Sequence, residues 1–205
     1  MSKRIIIVFI LALLSNADLF AQTKQHMLGV RAGYNISGLD TRPDLEYKSV
    51  TTNENFSILY TYYHNLWGTI DIFGIQTGIS SSKQGYKTPD GENLYEVVTI
   101  PVVSQFHFDF WKMRILLNAG CFGGYRQKRV NYDGSGFDEF DNKVDLGFIA
   151  GGGLAFIAKP FELHVEGNYH YSLTYLHDPK KYSPTDYLFT YPKQLVFSVA
   201  LHIHL

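Results

Sequence analysis

Five side chains able to bind metal or move protons fall on one parity of the last two alternating segments: His164, Glu166, His170, His202 and His204. In an extended strand, residues two apart share a face, so the first three project together, as do the last two. Imidazoles and a carboxylate on one face form a ligand set for zinc or copper. The same polar face carries Glu162, and Arg31 and Arg114 occupy the polar parity of earlier segments. Such a mixture can also satisfy itself, with Arg31 or Arg114 pairing with Glu166 or Glu162. If the last segment closes against the first, Arg31 comes near His202 and His204, which suits a polar plug better than a cation site. Arg31, Arg114, Glu162, His164, Glu166, His170, His202 and His204 are therefore read as an internal polar network, with no metal and no cofactor.

A second group, His177, Asp178, Ser183 and Asp186 beside Tyr182 and Tyr187, lies in a long polar stretch. The residue types suit a nucleophile, a base and an orienting acid, but nothing in their spacing puts them within hydrogen-bond reach. They read as loop composition, and the chain as not an enzyme. No phosphate loop, paired-cysteine metal motif or dinucleotide fingerprint occurs. Gly151-Gly152-Gly153 lacks the strand–turn–helix context of such a motif and reads as close packing within a strand. Cys121 is the single cysteine, so an internal disulfide is excluded.

Strands must position these groups, because strict period-two alternation recurs along the chain while helical periodicity does not. Leu28, Val30, Ala32, Tyr34 and Ile36 alternate with Gly29, Arg31, Gly33 and Asn35. Leu195, Phe197, Val199, Leu201, Ile203 and Leu205 alternate with Val196, Ser198, Ala200, His202 and His204. Six further segments lie between, near Asn55–His64, Phe73–Ser81, Leu94–Phe108, Lys112–Tyr125, Lys143–Ile157 and Phe161–Leu173. Long polar connections are expected at Ser37–Glu54, Ser82–Asn93, Arg126–Asn142 and Thr174–Lys193. Short ones are expected at Asn65–Ile72, Asp109–Trp111 and Ala158–Pro160. Eight strands with long and short connections in turn match an outer-membrane barrel, whose short turns face the periplasm.

The start of the chain reads as an address. Lys3 and Arg4 precede an apolar run from Ile5 to Leu14, and Ala21 offers a small residue for cleavage, so residues 1–21 are expected to be a signal peptide and 22–205 the barrel domain. The run is too short to span a bilayer as a helix. The whole chain has 18 basic and 19 acidic residues, and no basic excess that would favour nucleic acid.

Alternation defines two faces without saying which is outside. The polar face holds few lysines and many glycines, among them Gly74, Gly78, Gly120, Gly124, Gly147, Gly151 and Gly153. A solvated exterior would be studded with charge, whereas the lumen of an eight-stranded barrel is only wide enough for packed side chains. Trp67, Trp111, Phe110, Phe161, Tyr60, Tyr62, Tyr169 and Tyr171 gather toward segment ends, as at a membrane interface. The expectation is an all-β, eight-stranded antiparallel up-and-down transmembrane β-barrel with its apolar face toward lipid. The alternative is a secreted or periplasmic lipocalin-like barrel with that face turned inward around an apolar ligand.

The chain also resembles the PorT-like outer-membrane β-barrel family over nearly all of its mature length. The resemblance rests on Leu19-Phe20-Ala21-Gln22, on Gly29 through Ser37, on Thr99-Ile100-Pro101-Val102-Val103 and on Asn118-Ala119-Gly120. It continues through Asp145-Leu146-Gly147-Phe148 and Glu166 through Thr174. The chain departs from the pattern in ending at Leu205 rather than an aromatic, and in carrying Asn168 and His170 at lumen positions. The resemblance implies an outer-membrane barrel in contact with outer-membrane lipid, some relatives of which act with secretion or surface proteins. Arg126, Lys128 and Arg129, followed by Asp133, Asp138, Glu139 and Asp141, would make the third long segment the main electrostatic contact. A general diffusion pore is disfavoured, because eight strands leave no wide channel.

Overall fold

A computed structural model describes residues 24–45, 47–66, 70–131, 134, 136–181 and 187–205. The expected signal peptide and Trp67 lie outside the described residues. Eight strands follow in order: β1 (Lys24–Arg42), β2 (Lys48–Leu66), β3 (Ile70–Thr88), β4 (Gly91–Phe110), β5 (Met113–Asn131), β6 (Val144–Ala158), β7 (Phe161–Ser172) and β8 (Phe189–His204). Each pairs antiparallel with the next, and β8 pairs with β1 from Phe189↔Arg42 to His204↔Met27. The sheet is a closed barrel, so no strand among them leaves an edge unpaired.

The apolar parity faces out. Leu28, Phe197 and Leu201 are 44, 51 and 47 % exposed, while their neighbours Arg31, His202 and Ser198 are buried. This orientation overturns the lipocalin-like alternative, which needs Leu28, Phe197 and Leu201 to line the hollow. An apolar exterior on a closed barrel is the surface of a membrane-spanning barrel, since every backbone polar group is satisfied within the ring. On the inner side, missing side chains make room for rings. A Cβ on Gly29 would stand 2.3 Å from the His202 ring, and one on Gly74 would stand 2.2 Å from Tyr63.

Two of the four expected long connections, 37–54 and 82–93, are largely strand, and the third begins as strand. β1 and β2 run on until only 43–47 joins them, β3 and β4 are joined by Pro89-Asp90, and β5 continues to Asn131. Arg126, Lys128 and Arg129 are thus strand residues rather than loop residues. The physical reason is that hydrophobic alternation marks only the part of a strand that meets lipid. Beyond it the outward residues are Glu54, Lys83 and Glu96, and the ladder continues through backbone pairing that composition does not reveal. About 9–11 residues suffice to cross a bilayer, and β1 to β5 have 19 or 20 each. The wall therefore rises well above the apolar band at the loop end.

At the opposite end, where β1 begins and β8 ends, Trp111 sits in the turn between β4 and β5 with φ of 54° and is 88 % exposed. A left-handed conformation is costly for a bulky residue. Phe110 and Phe161 stand exposed beside it, in keeping with an interfacial aromatic ring.

Candidate functional site

The lumen is filled by polar groups in layers. Nearest the β4–β5 turn, the Arg114 guanidinium donates from Nε and Nη2 to Asp109 at 2.6 and 2.8 Å and faces Glu162 at 3.3 Å. Its Cζ lies 4.4 Å from the centre of the Tyr63 ring. Glu162 is also met by His164 Nε2 at 3.0 Å and His204 Nε2 at 2.9 Å. Of the pairings anticipated for the arginines, Arg114 with Glu162 forms. Arg31 instead donates to Ser57 Oγ at 3.2 Å, and the Glu166 carboxylate accepts from Asn118 and Asn168 at 2.8 and 3.1 Å. The nearby imidazole of His164 stands 3.5 Å from Glu166.

His202 lies tilted against His164 with centroids 4.2 Å apart, and His170 leans on Phe122 at 5.5 Å. The eight anticipated residues share one lumen, but only Arg114, Glu162, His164, Glu166, His202 and His204 form a chain of contacts, while Arg31 and His170 turn to Ser57 and Phe122. Among the described residues, no group of three or more His, Cys, Asp or Glu side chains is arranged to hold a metal ion.

Higher in the barrel lies a second buried pair that composition alone concealed. Arg126 Nη2 and Asp145 Oδ1 are 2.9 Å apart, both fully shielded from solvent. Gln84 donates to Asp145 at 3.1 Å, and Gln194 donates to Gln84 at 2.7 Å. Arg126 also donates to the carbonyls of Asn142 and Val144. The strand parity of Arg126 could have signalled this, had the segment been read as a continuation of β5.

The loop end is closed by a cap formed from the segment between β5 and β6 and the segment between β7 and β8. Asp141 is its hub. Its carboxylate accepts from Arg129 at 2.5 Å and Lys181 at 3.0 Å, and stands 2.5 Å from His177 Nδ1. Asp141 and His177 also form a backbone bridge, flanked by Asn142 N donating to Leu176 O and Asp178 N donating to Phe140 O. Beneath them Leu39, Tyr86, Tyr95, Val97 and Leu176 make a buried apolar floor, with Tyr47 and Phe137 against it.

Burial raises the Asp141 carboxyl, but the hydrogen bonds from His177, the Asp138 backbone and Lys181 outweigh it and hold the group well below the ordinary carboxylate range. His177 is pushed below the usual imidazole range, chiefly by burial, with Asp141 opposing. The imidazole is therefore neutral near pH 7 and bridges Asp141 to the Tyr86 hydroxyl, 3.4 Å from Nε2.

Hydroxyl, imidazole and carboxylate in that order resemble a nucleophile relay. Yet Tyr86, His177 and Asp141 are all shielded from solvent, and Asp141 is already committed to two permanent cations. This arrangement holds the cap together. The expected companion of His177, Asp178, is exposed and accepts from the backbone of Lys180 instead. Ser183, Asp186, Tyr182 and Asp133 lie outside the described residues.

No family model and no curated protein matches the chain. Solved structures do match in fold. The N-terminal β-barrel domain of Pseudomonas aeruginosa OprF aligns over 89 % of this chain and 99 % of its own, with 11 % identity and a TM-score of 0.51. Neisserial surface protein A aligns over 86 % and 96 %, with 11 % identity and a TM-score of 0.52. At that identity the likeness speaks for architecture alone. By fold, this chain is an eight-stranded barrel of the kind that outer-membrane proteins build.

Proposed function

We propose that the chain is a small, non-enzymatic outer-membrane β-barrel whose raised wall and capping segments form an extracellular contact surface. The observation that carries this reading is the contrast between its two faces: an apolar exterior on a closed ring, and an interior occupied by paired polar side chains. Such a lumen conducts nothing large, so the working parts are those that project outside the bilayer. The match to a Neisserial surface protein favours a surface role. The sequence resemblance to PorT-like barrels favours a narrower one, as a membrane component acting with secretion or surface proteins.

Fractionation, heat-modifiable gel migration and sequencing of the mature amino terminus test the reading together. The expected result is a membrane-bound protein beginning at Gln22 that migrates faster before boiling than after. A water-soluble mature protein would reject it, and so would single-channel conductance of porin size in a planar bilayer. Co-purification from membranes of a defined set of secretion proteins would support the narrower role.

A further inference from the structure

One seam of the exterior, along β7, β8 and β1, differs from the rest. Within the apolar band, Gly167 and Ala32 leave a furrow walled by Val165, Phe197, Val199 and Tyr34. The register aligns Gly167, Phe197 and Tyr34 in one row, and Tyr169, Leu195 and Ile36 in the next. The third row places Lys193 between Tyr171 and Gly38, and above it Tyr191 pairs with Asp40 and Phe189 with Arg42. From Ile203 to Leu195 the outward face of β8 is apolar throughout. From Ile203 up to Lys193 is roughly 34 Å along the strand, which a tilt of about 35–45° reduces to about 24–28 Å, close to the roughly 25 Å height of a barrel's lipid-facing band. Lys193 therefore stands where hydrocarbon ends.

Above Lys193 a ladder of rings climbs the same seam. Tyr171 and Tyr191 are stacked with centroids 6.1 Å apart, Tyr175 lies 5.1 Å from Tyr191, and Phe189 lies 5.3 Å from Tyr175. The Tyr171 hydroxyl donates to Asp40 at 2.9 Å, and the Arg42 guanidinium lies 5.8 Å over the Tyr191 ring. Among the described residues neither Arg42 nor Lys193 has a carboxylate at ion-pair distance, although Asp40 is close by in register. The opposite wall at this height is different: Lys83 is neutralised by Glu54 at 2.7 Å and Glu96 at 3.8 Å. A general interfacial girdle would encircle the barrel, whereas this ladder is one-sided and rises past the interface.

We propose that the seam seats one anionic glycolipid of the outer leaflet, an inference that rests on the membrane-barrel reading above. An acyl chain fills the furrow, a headgroup phosphate meets Lys193 and Arg42, and a sugar ring lies against the tyrosine ladder. Guanidinium and ammonium groups at the headgroup level attract phosphate. Aromatic rings offer an apolar face with a polar edge, which suits a sugar's C–H face and its hydroxyls. The rings reach Phe189, four residues beyond Lys193 and roughly 13 Å along the strand, further than a bare phosphate would use. They are already held by one another and by Asp40, so little side-chain freedom is lost on binding.

Native mass spectrometry of the detergent-solubilised full chain tests this, using equimolar bisphosphorylated diglucosamine lipid and phosphatidylglycerol. The wild type is expected to retain the glycolipid preferentially. Arg42→Gln and Lys193→Gln should each weaken its retention about fivefold, the effect of one cation near a membrane surface. Tyr191→Ala should weaken glycolipid retention while leaving phosphatidylglycerol unchanged, and Lys83→Gln on the opposite wall should leave both unchanged. Equal retention of the two lipids by the wild type would overturn the proposal. So would unaltered glycolipid retention in the exposed Arg42→Gln variant. Heat-modifiable migration of each protein reports barrel closure separately, so failure of the barrel reading would show there and not in lipid preference.

Discussion

The lower half of this barrel and its upper extension use the same strands for opposite purposes. Between the terminal turns and Lys193 the outside is apolar and the inside polar, so Arg114 and Glu162 are sequestered in a narrow tube with Asp109 half-exposed at its mouth. Above that level the outside of β2 to β4 turns polar, with Glu54, Lys83 and Glu96, and the inside turns aromatic around Tyr86 and Tyr95. Inversion of polarity within one continuous ladder shows that the surroundings, rather than the strand, set which face is greasy. A hydrocarbon solvent rewards apolar residues outside; water rewards them inside.

The largest expected effect tests the lower half. Arg114→Ala strands Glu162 and Asp109 without their cation, and loss of one partner of a buried pair costs about 3–5 kcal/mol. Unfolding in urea, followed by heat-modifiable migration, should shift to markedly lower denaturant. A variant as stable as the wild type would show that the lumen network is dispensable.

Next comes a direct contrast of the two exteriors. Val199→Arg places a cation in the middle of the lipid-facing row of β8 and should cost about 2–4 kcal/mol in folding into vesicles. Gln127→Arg, on the outward side of β5 above the band, should change stability by less than about 0.5 kcal/mol. Equal costs at the two sites would erase the boundary drawn at Lys193.

The cap should respond more locally. Asp141→Asn removes the charge on which Arg129, Lys181 and His177 converge. A loss of about 2 kcal/mol is expected, below the fully buried case because the two cations are partly exposed. Faster amide exchange at Asn142 and Leu176 N–H, with that of β8 below Lys193 unchanged, would report it. Proteolysis at Lys180 and Lys181 should quicken in step.

The smallest effect is a pH dependence confined to the same place. His177 binds its proton less readily in the closed cap than in an open one, because burial disfavours the imidazolium. The open state therefore takes up more protons, and cap stability is full above the ordinary imidazole range, near pH 6.5, and declines as pH falls below it. Asp141 acts in the same direction at lower pH: its carboxyl is also held below its ordinary range, so its contribution is lost only as the pH drops beneath the usual carboxylate range. Protection factors of the cap amides, taken against the intrinsic exchange rate at each pH, should thus fall between about pH 6.5 and 5, and His177→Asn should flatten that profile. A flat profile in the wild type would remove His177 from the closure.

Much of the barrel was legible from residue order. Leu28 to Ile36 and Leu195 to Ile203 display their alternation openly, because lipid outside and a packed lumen inside impose opposite demands on neighbouring positions. The glycine-rich polar face was legible too, though not that Gly29 and Gly74 lie against the rings of His202 and Tyr63. The upper strands were not. Around Asn55, Ser82 and Arg126 both faces carry polar residues, so period two vanishes from the hydrophobicity while backbone pairing continues.

The site divided along the same line. The polar parity of Arg31, Arg114, Glu162, His164, Glu166, His170, His202 and His204 could be read from spacing alone, since a strand fixes which way each side chain points. Their partners could not. Asp109 reaches Arg114 across a register set by the β4–β5 turn, and Asp141 finds His177 thirty-six positions away through two segments with no periodicity. The sequence by itself determined strand count, facing and the polar lining, because those follow from local geometry and solvent. Only the closed tertiary structure decided which charges neutralise one another, how far the wall rises, and that the fourth long segment folds into a cap, because these depend on distances between chain segments that meet only when the ring is shut.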